Sequence, residues 1–550
     1  MRHGFARGKN KKRAGRGGSK TKVQLYATQI SALLAQPGIE LNCAYLSEPG
    51  LNFGGKAQCV DPRTGLAAFG PYSKTDSTRR QSIRLGIVGP AEAIDRAVAL
   101  VERLSKPIDQ SEKIDAILHP PFPGLNSGEP FQIELVSQSV WRRPLKTKDV
   151  ALVEGDPDFK SRIGRLLGAV ITEVRALKAL DSGPDVVLVA MSEKLEELCR
   201  VGIGKYDSEH PEESAVADDD VREMLADLRG EVDGEIHDHD EIHDADEDDE
   251  EEADNDAARS FRRGLKAQSL DLLPTQLLWH RTLAGTRGVQ DLATRAWNLT
   301  VALLYKAQIV PWRLSDVVEG SCFVGVSFFH DDEARSAILR TSVAQAFSER
   351  GEGFVLQGDS FDWDAKKQRE KSPHLSKDDA RKLLSRVIQV YTDQLGGVAP
   401  RKVVVHKSSR YTLDEKAGFE EALDKVPQYG LMTVQRRGIF CLRPGNKATL
   451  RGTAVDFGEK LGLVYTMGYV PFLRCYSGFR IPQPLEILEN WGSIPFREAA
   501  EDILRLTKLN WNTSAFNCRD PITLAFARRV GEILKMAKGR EPALYYRYYM

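Results

Sequence analysis

The chain has 550 residues, of which 41% are hydrophobic and 28% charged, with a formal net charge of −1. These proportions suit a globular protein of two to four domains and exclude a fibrous or wholly disordered chain. No apolar run approaches the roughly 18–20 residues that cross a bilayer, and seven cysteines scattered without a CxxC pair argue against a zinc module or a disulfide framework and for a reducing, cytoplasmic location.

The first 22 residues carry Arg2, Arg7, Lys9, Lys11, Lys12, Arg13, Arg16, Lys20 and Lys22 with no acidic residue and no apolar stretch of the secretory-signal kind. Residues 1–40 therefore read as a basic disordered arm that ends in a short helix, Thr28–Leu34. Residues 41–149 read as a small α+β segment. Turn chemistry marks Glu48-Pro49-Gly50, Asp61-Pro62-Arg63-Thr64-Gly65 and Phe69-Gly70-Pro71. Ile83–Val88 is a strand, and Ala91–Leu104 places Ile94, Ala97, Val98, Val101 and Leu104 at helical spacing.

A second unit, 150–310, opens with the helix Phe159–Leu180, whose Ile163, Leu166, Leu167, Val170, Ile171 and Val174 share a face. The continuous apolar strand Val186–Ala190 follows, then the helix Glu193–Cys199 capped by Ser192. Helix, buried strand and helix in this order predict a doubly wound α/β unit. The acidic stretch at about 206–257 interrupts it, and like-charge repulsion predicts a disordered insertion there. Its His237, His239 and His243 are better read as part of a solvated low-complexity tract than as metal ligands. Without this block the rest of the chain is basic, which suits a polyanionic partner.

Helices follow at Phe261–Lys266, Gln290–Tyr305 and Lys377–Leu395, with strands at Cys322–Phe329, Lys402–His406, Gly430–Val434 and Leu461–Met467. There is no internal repeat. The last unit, 311–550, is thus mixed α/β with a partly antiparallel strand set.

Ser47–Pro71, SEPGLNFGGKAQCVDPRTGLAAFGP, resembles the opening signature of short prokaryotic Argonautes, and Val403–Leu423, VVVHKSSRYTLDEKAGFEEAL, is similar to a core strand and following helix of their PIWI domain. Phe261–Gln276 resembles the guide-anchoring part of a MID domain, Leu504–Asn512 a late PIWI helix start, and Leu544–Met550 the family's C-terminus. The resemblance implies a Rossmann-like MID domain over 150–310 and an RNase H-like PIWI domain over 311–550, preceded by the small α+β segment. The N and PAZ domains of long Argonautes have no expected counterpart.

Arg262 and Lys266, four residues apart, share a helix face; Gln276 follows the turn at Pro274-Thr275, and Lys306 closes the next helix. A terminal phosphate carries more charge than an internal one and calls for several cationic donors with free backbone N–H groups. On spacing alone, a solvated basic helix face is the better reading of these residues. The resemblance assigns Lys266, Gln276 and Lys306 to the guide 5′-phosphate, with Arg262 where Tyr or His is usual. It also folds the carboxylate of Met550 into the pocket, with a Mg2+ ion at the guide 5′ end and no catalytic cofactor.

RNase H-like cleavage needs carboxylates from separate elements to hold two divalent ions about 4 Å apart. At the positions the resemblance matches, this chain has Ser327, Ser408 and Arg528 instead of acids. Asp331, Asp332 and Glu333 could be displaced ligands, although three consecutive acids point in different directions and read better as a surface turn. Lys407, Arg410, Lys508, Asn510 and Arg528, with Arg529 and Asn512, are expected to line a channel for the nucleic-acid backbone. His406 is expected to be buried or guide-facing, and Trp511 to pack.

The resemblance implies a guide binder, with small RNA as guide and single-stranded DNA as target, that does not cut. A partner effector subunit (APAZ-containing, with a TIR, Sir2-like or nuclease domain) would form a heterodimer with it, of higher order on activation, in defence against plasmids or phage. Two other readings stay open: an RNase H-like nuclease with relocated metal ligands, and a scaffold that binds basic proteins through its acidic block.

Overall fold

The computed structural model describes residues 42–550 apart from 76–79, 111–116, 118, 127, 129, 201–255, 287–288, 331–337, 349–352, 363–372, 437–440, 442, 444–446, 477–480, 538–539 and 541. The chain divides into a unit of Met1–Cys43, of which Asn42 and Cys43 are described, and a unit of Ala44–Met550. The basic arm with its helix at Thr28–Leu34, the acidic stretch up to residue 255 with His237, His239 and His243, and Asp331, Asp332 and Glu333 all lie outside the described residues.

Strand β1 (Asn42–Tyr45) opens the described chain, followed by the short strands β2 (Leu51–Asn52) and β3 (Gln58–Cys59). The segment at Asp61 is a helix start and not the turn its composition suggests. Asp61 accepts a hydrogen bond from Thr64 N at 2.6 Å, Pro62 occupies the first turn, and the helix Pro62–Phe69 runs until Gly70 leaves it at φ +72°. Aspartate followed by proline serves a turn and a helix N-terminus equally well, and here the apolar Leu66 decides by packing into the core.

A parallel sheet comes next, built from β4 (Ser82–Gly89), β5 (Glu134–Val136), β6 (Arg142–Pro144), β7 (Val186–Ala190) and β8 (Thr275–Leu278). Its order is β5-β4-β7-β8, with β6 also pairing β4. Side chains alternate across β7. Val186, Leu188 and Ala190 join a core with the helices Ala91–Leu104 and Leu292–Lys306, whereas Val187 and Val189 join one with Phe159–Lys178 and with Phe261 and Leu265. Helices thus cover both faces, as a doubly wound unit requires. The expected boundary at 149/150 does not follow the sheet, because β4, β5 and β6 precede it. Short strands such as β5 and β6 carry too few residues for periodicity to show.

The larger sheet uses β10 (Ser321–His330), β11 (Ile338–Ser348), β12 (Gly353–Asp362), β13 (Lys402–Lys407), β14 (Gln428–Arg436), β15 (Thr453–Gly458), β16 (Leu461–Val464) and β17 (Leu485–Gly492), while β9 (Arg313–Leu314) pairs with β2. Its order runs β15-β16-β17-β14-β13-β10-β11-β12. β10, β11 and β12 are antiparallel, whereas β13 runs parallel to both β10 and β14. This is the RNase H-like arrangement expected of the last unit. Val403 and Val405 bury one face against the helices Lys377–Gln394 and Leu413–Ala422, and Phe323 and Val404 bury the other with the helices Phe496–Leu506 and Ile522–Met536. Leu504–Asn512, expected as a helix start, ends the helix Phe496–Leu506. Among the described residues no helix is long and apolar enough to cross a membrane.

Candidate functional site

The helix Asp256–Ser269 packs Phe261 and Leu265 into the core and carries Lys266 in with them, at 2% exposure. The Lys266 ammonium donates to the main-chain oxygen of Thr275, the first residue of β8. Lys306 ends the helix Leu292–Lys306, whose start is fixed by Asp291 accepting from Ala293 N at 3.0 Å and Thr294 N at 3.3 Å. A cation suits that C-terminus electrostatically. Lys306 is as buried as Lys266, and its ammonium donates to Oε1 of Gln276.

Neither lysine has an acidic partner among the described residues. Burial, and then the charges of Lys306 and Arg262, push the Lys266 ammonium well below its usual range. Burial, and then Arg262, bring Lys306 down to about 7. Arg262 itself is exposed on the same helix as Lys266. The structure therefore brings Arg262, Lys266, Gln276 and Lys306 together, with two buried lysines that have no acidic partner among the described residues.

The C-terminal residues close on the same region. Tyr546 is buried, stacks on Phe526 at 4.2 Å and accepts from Asn512 Nδ2 at 3.4 Å. Burial pushes its hydroxyl up, and the charges of Arg529 and Arg262 act on it in the opposite direction. Met550 is 2% exposed, in the apolar cluster that holds Leu303, Leu304 and Tyr305. Trp511 stacks on Tyr305 at 4.5 Å, a packing role as expected.

On the larger sheet, Ser327 Oγ donates to Ala527 O at 2.8 Å. Buried His406 pairs through Nδ1 with Thr523 Oγ1 at 2.8 Å, and burial, then Lys402, hold the ring down to about 3, so it is neutral. Ser408 is exposed just beyond β13. Among the described residues, no three His, Cys, Asp or Glu side chains converge to hold a metal ion.

Lys407 and Lys508 depart from the expectation of a channel lining. Lys407, the last residue of β13, is 1% exposed and lies 2.6 Å from both carboxylate oxygens of Glu415. The helix Leu413–Ala422 brings that acid back over the strand through a capping box at Thr412. Lys508 is 2% exposed, 2.7 Å from Glu48 and 3.0 Å from Val60 O. Both ammonium groups are committed inside the fold. Arg410 and Arg528 are exposed, and Arg410 lies 3.8 Å from Glu489.

Asn510, Arg528 and Arg529 line one cleft with Arg436, Cys518 and Asp520. Arg436 and Asp520 were not legible as site residues. Their bidentate pair, at 3.0 and 2.5 Å, joins β14 to the segment before the last long helix, a contact no local pattern announces.

No family model matches the chain, and no curated protein matches it. Solved structures do resemble it. Two structures of Aquifex aeolicus Argonaute match at 15% and 13% identity, covering 96% and 99% of this chain and 59% and 64% of those chains, with TM-scores of 0.51 and 0.50. Clostridium butyricum Argonaute, bound to a guide DNA and a 19-mer target DNA, matches at 13% identity over 92% of this chain and 54% of that one, with a TM-score of 0.53. The chain thus spans 54 to 64% of the length of these structures, and it has an Argonaute-like fold.

Proposed function

We propose that this chain binds the 5′-phosphorylated end of a small guide strand and pairs that guide with complementary nucleic acid without cutting it. The observation that carries the reading is the pair of buried lysines, Lys266 and Lys306, which share a site with Arg262 and Gln276 and have no acid to neutralise them among the described residues. Burying two like charges is costly unless an anion arrives, and a terminal phosphate supplies one with several acceptor oxygens. By the resemblance, the Met550 carboxylate would hold a Mg2+ ion at the guide 5′ end. Base pairing, not the protein, would supply sequence choice, with the exposed Arg410 and Arg528 contacting backbone.

The absence of cutting rests on the residues themselves. Ser327 is occupied with a main-chain oxygen, His406 is buried and neutral, and Ser408 and Arg528 supply no carboxylate. Following the resemblance to short prokaryotic Argonautes, the guide is RNA, the target is single-stranded invader DNA, and chemistry belongs to a separate effector subunit in the cytosol that target pairing switches on in plasmid or phage defence.

The test incubates the purified chain with a 5′-phosphorylated guide, labelled target and Mg2+ or Mn2+. Tight binding with intact target is expected, together with a large loss of affinity in the Lys266→Glu/Lys306→Glu variant. Guide-directed cleavage that is lost on mutating Asp331, Asp332 and Glu333 would replace this reading with a nuclease whose ligands have moved.

A further inference from the structure

Pro471–Arg474 forms a tight turn between Val470 and Cys475, which are bridged antiparallel with Val470 N donating to Cys475 O at 2.8 Å. The turn holds Arg474 at φ +54°, a conformation unfavourable for any residue with a side chain. It presents Phe472 to solvent at 58% exposure beside the exposed Arg474, whose guanidinium has no partner among the described residues.

Phe472 is stacked on Phe516, with ring centroids 6.5 Å apart and an interplanar angle of 20°. Phe516 is in turn fixed from within the fold, because the buried ammonium of Lys508 lies 3.3 Å from its ring centroid. Its neighbour Asn517 donates to Thr466 O at 3.2 Å, and Thr466 Oγ1 donates to Arg519 O at 2.5 Å. The next residue, Cys518, lines the cleft with Arg436, Asn510, Arg528 and Arg529. An anchored aromatic pair is therefore joined, two residues along the chain from Phe516, to a cleft that holds three arginines, and its outer ring is open to water.

We propose that Phe472, backed by Phe516, is a stacking platform for an unpaired base of the strand held in that cleft, with Arg474 on the adjoining phosphate. The proposal rests on the guide-binding reading. A base has a flat face to lay on the ring whatever its identity, so such a platform holds a strand without selecting sequence. A polyanion also matches the exposed Arg474 beside Phe472, whereas an apolar protein surface does not match it.

The experiment uses the full chain and 5′-phosphorylated oligonucleotides carrying 2-aminopurine at one position at a time, alone and with target added. One position, or a short run, should be quenched on binding. Phe472→Ala should restore its fluorescence and weaken binding about fivefold to a hundredfold, whereas Phe472→Trp should keep both the quench and the affinity. Arg474→Gln should make binding less sensitive to salt. If wild type binds the strands and Phe472→Ala leaves quench and affinity unchanged, the platform is refuted while the guide-binding reading stands. Loss of a co-purifying protein in Phe472→Ala, with oligonucleotide binding intact, would overturn it in favour of protein docking. If wild type binds no 5′-phosphorylated strand, both readings fall.

Discussion

Lys306 donates its ammonium to the side-chain oxygen of Gln276, and this neutral amide is its hydrogen-bonding partner among the described residues. With its pKa brought down to about 7 by burial and by Arg262, Lys306 exchanges between charged and neutral forms near physiological pH. A bound phosphate favours the charged form, so its pKa rises in the complex and binding takes up a proton. Affinity for a 5′-phosphorylated strand should therefore be highest below about pH 7 and fall as pH rises beyond it, until the pKa of the complex is passed. Below about pH 6 the phosphate itself loses charge, so the optimum lies between about 6 and 7. Fluorescence anisotropy from pH 5.5 to 9 checks this, with a 5′-hydroxyl strand as control. An affinity that does not vary with pH would refute it.

The same burial acts on the empty protein. A lysine with a folded pKa of about 7 and an ordinary value of 10.5 binds fewer protons folded than unfolded across that interval. Stability then rises with pH between them and reaches its low plateau below about pH 7. Lys306→Met should accordingly raise the melting temperature of the unliganded chain at pH 6.5 while weakening guide binding. A site tuned for its ligand costs stability in its absence. A lower melting temperature would show that the Gln276 contact outweighs the desolvation.

Lys407 and Glu415 form a buried pair, and here removal and replacement should differ. Burial alone would raise the Glu415 carboxyl, but His374, Lys407 and the Leu375 amide together hold it below its usual range. Glu415→Ala strands a buried ammonium and should cost about 3–5 kcal/mol, read as a shift of the urea midpoint. Lys407→Met with Glu415→Leu should recover most of that loss. Equal losses in both variants would show that His374 and the capping box, not the charge pair, hold the helix on the strand.

How much of this was legible in the sequence depends on the range of each interaction. Val186–Ala190 and Ala91–Leu104 could be read to the residue, since continuous burial and a 3.6-residue apolar period are local signals. Arg262, Lys266, Gln276 and Lys306 were nominated from a resemblance, and the structure brings them together because β8 and the two helices pack side by side. Charge alone misled at Lys407 and Lys508. Lys508 meets Glu48 from hundreds of residues away in sequence, and Lys407 meets Glu415 only because the following helix folds back over the strand. Asp61 was misread for a different reason, because capping and turn formation use the same side-chain chemistry.

Gly325 gives a direct probe of how the larger sheet would support the proposed nucleic-acid contact. A Cβ at this position on β10 would lie 1.9 Å from the main-chain oxygen of Thr523 and 2.6 Å from its carbonyl carbon. Those atoms belong to the helix Ile522–Met536, so no side chain can swing away and the whole helix must move. Thr523 also pairs with His406 across the sheet, and Ala527 receives Ser327, so the shift would loosen both contacts. Gly325→Ala should therefore cost about 1–3 kcal/mol of stability. The helix carries Arg528 and Arg529, whereas Lys266 and Lys306 stand on other elements. Overall strand affinity should thus drop while the preference for a 5′-phosphate over a 5′-hydroxyl end is retained. Loss of that preference alongside affinity would mean that the cleft and the phosphate site are one rigid unit, with β10 setting the geometry of both.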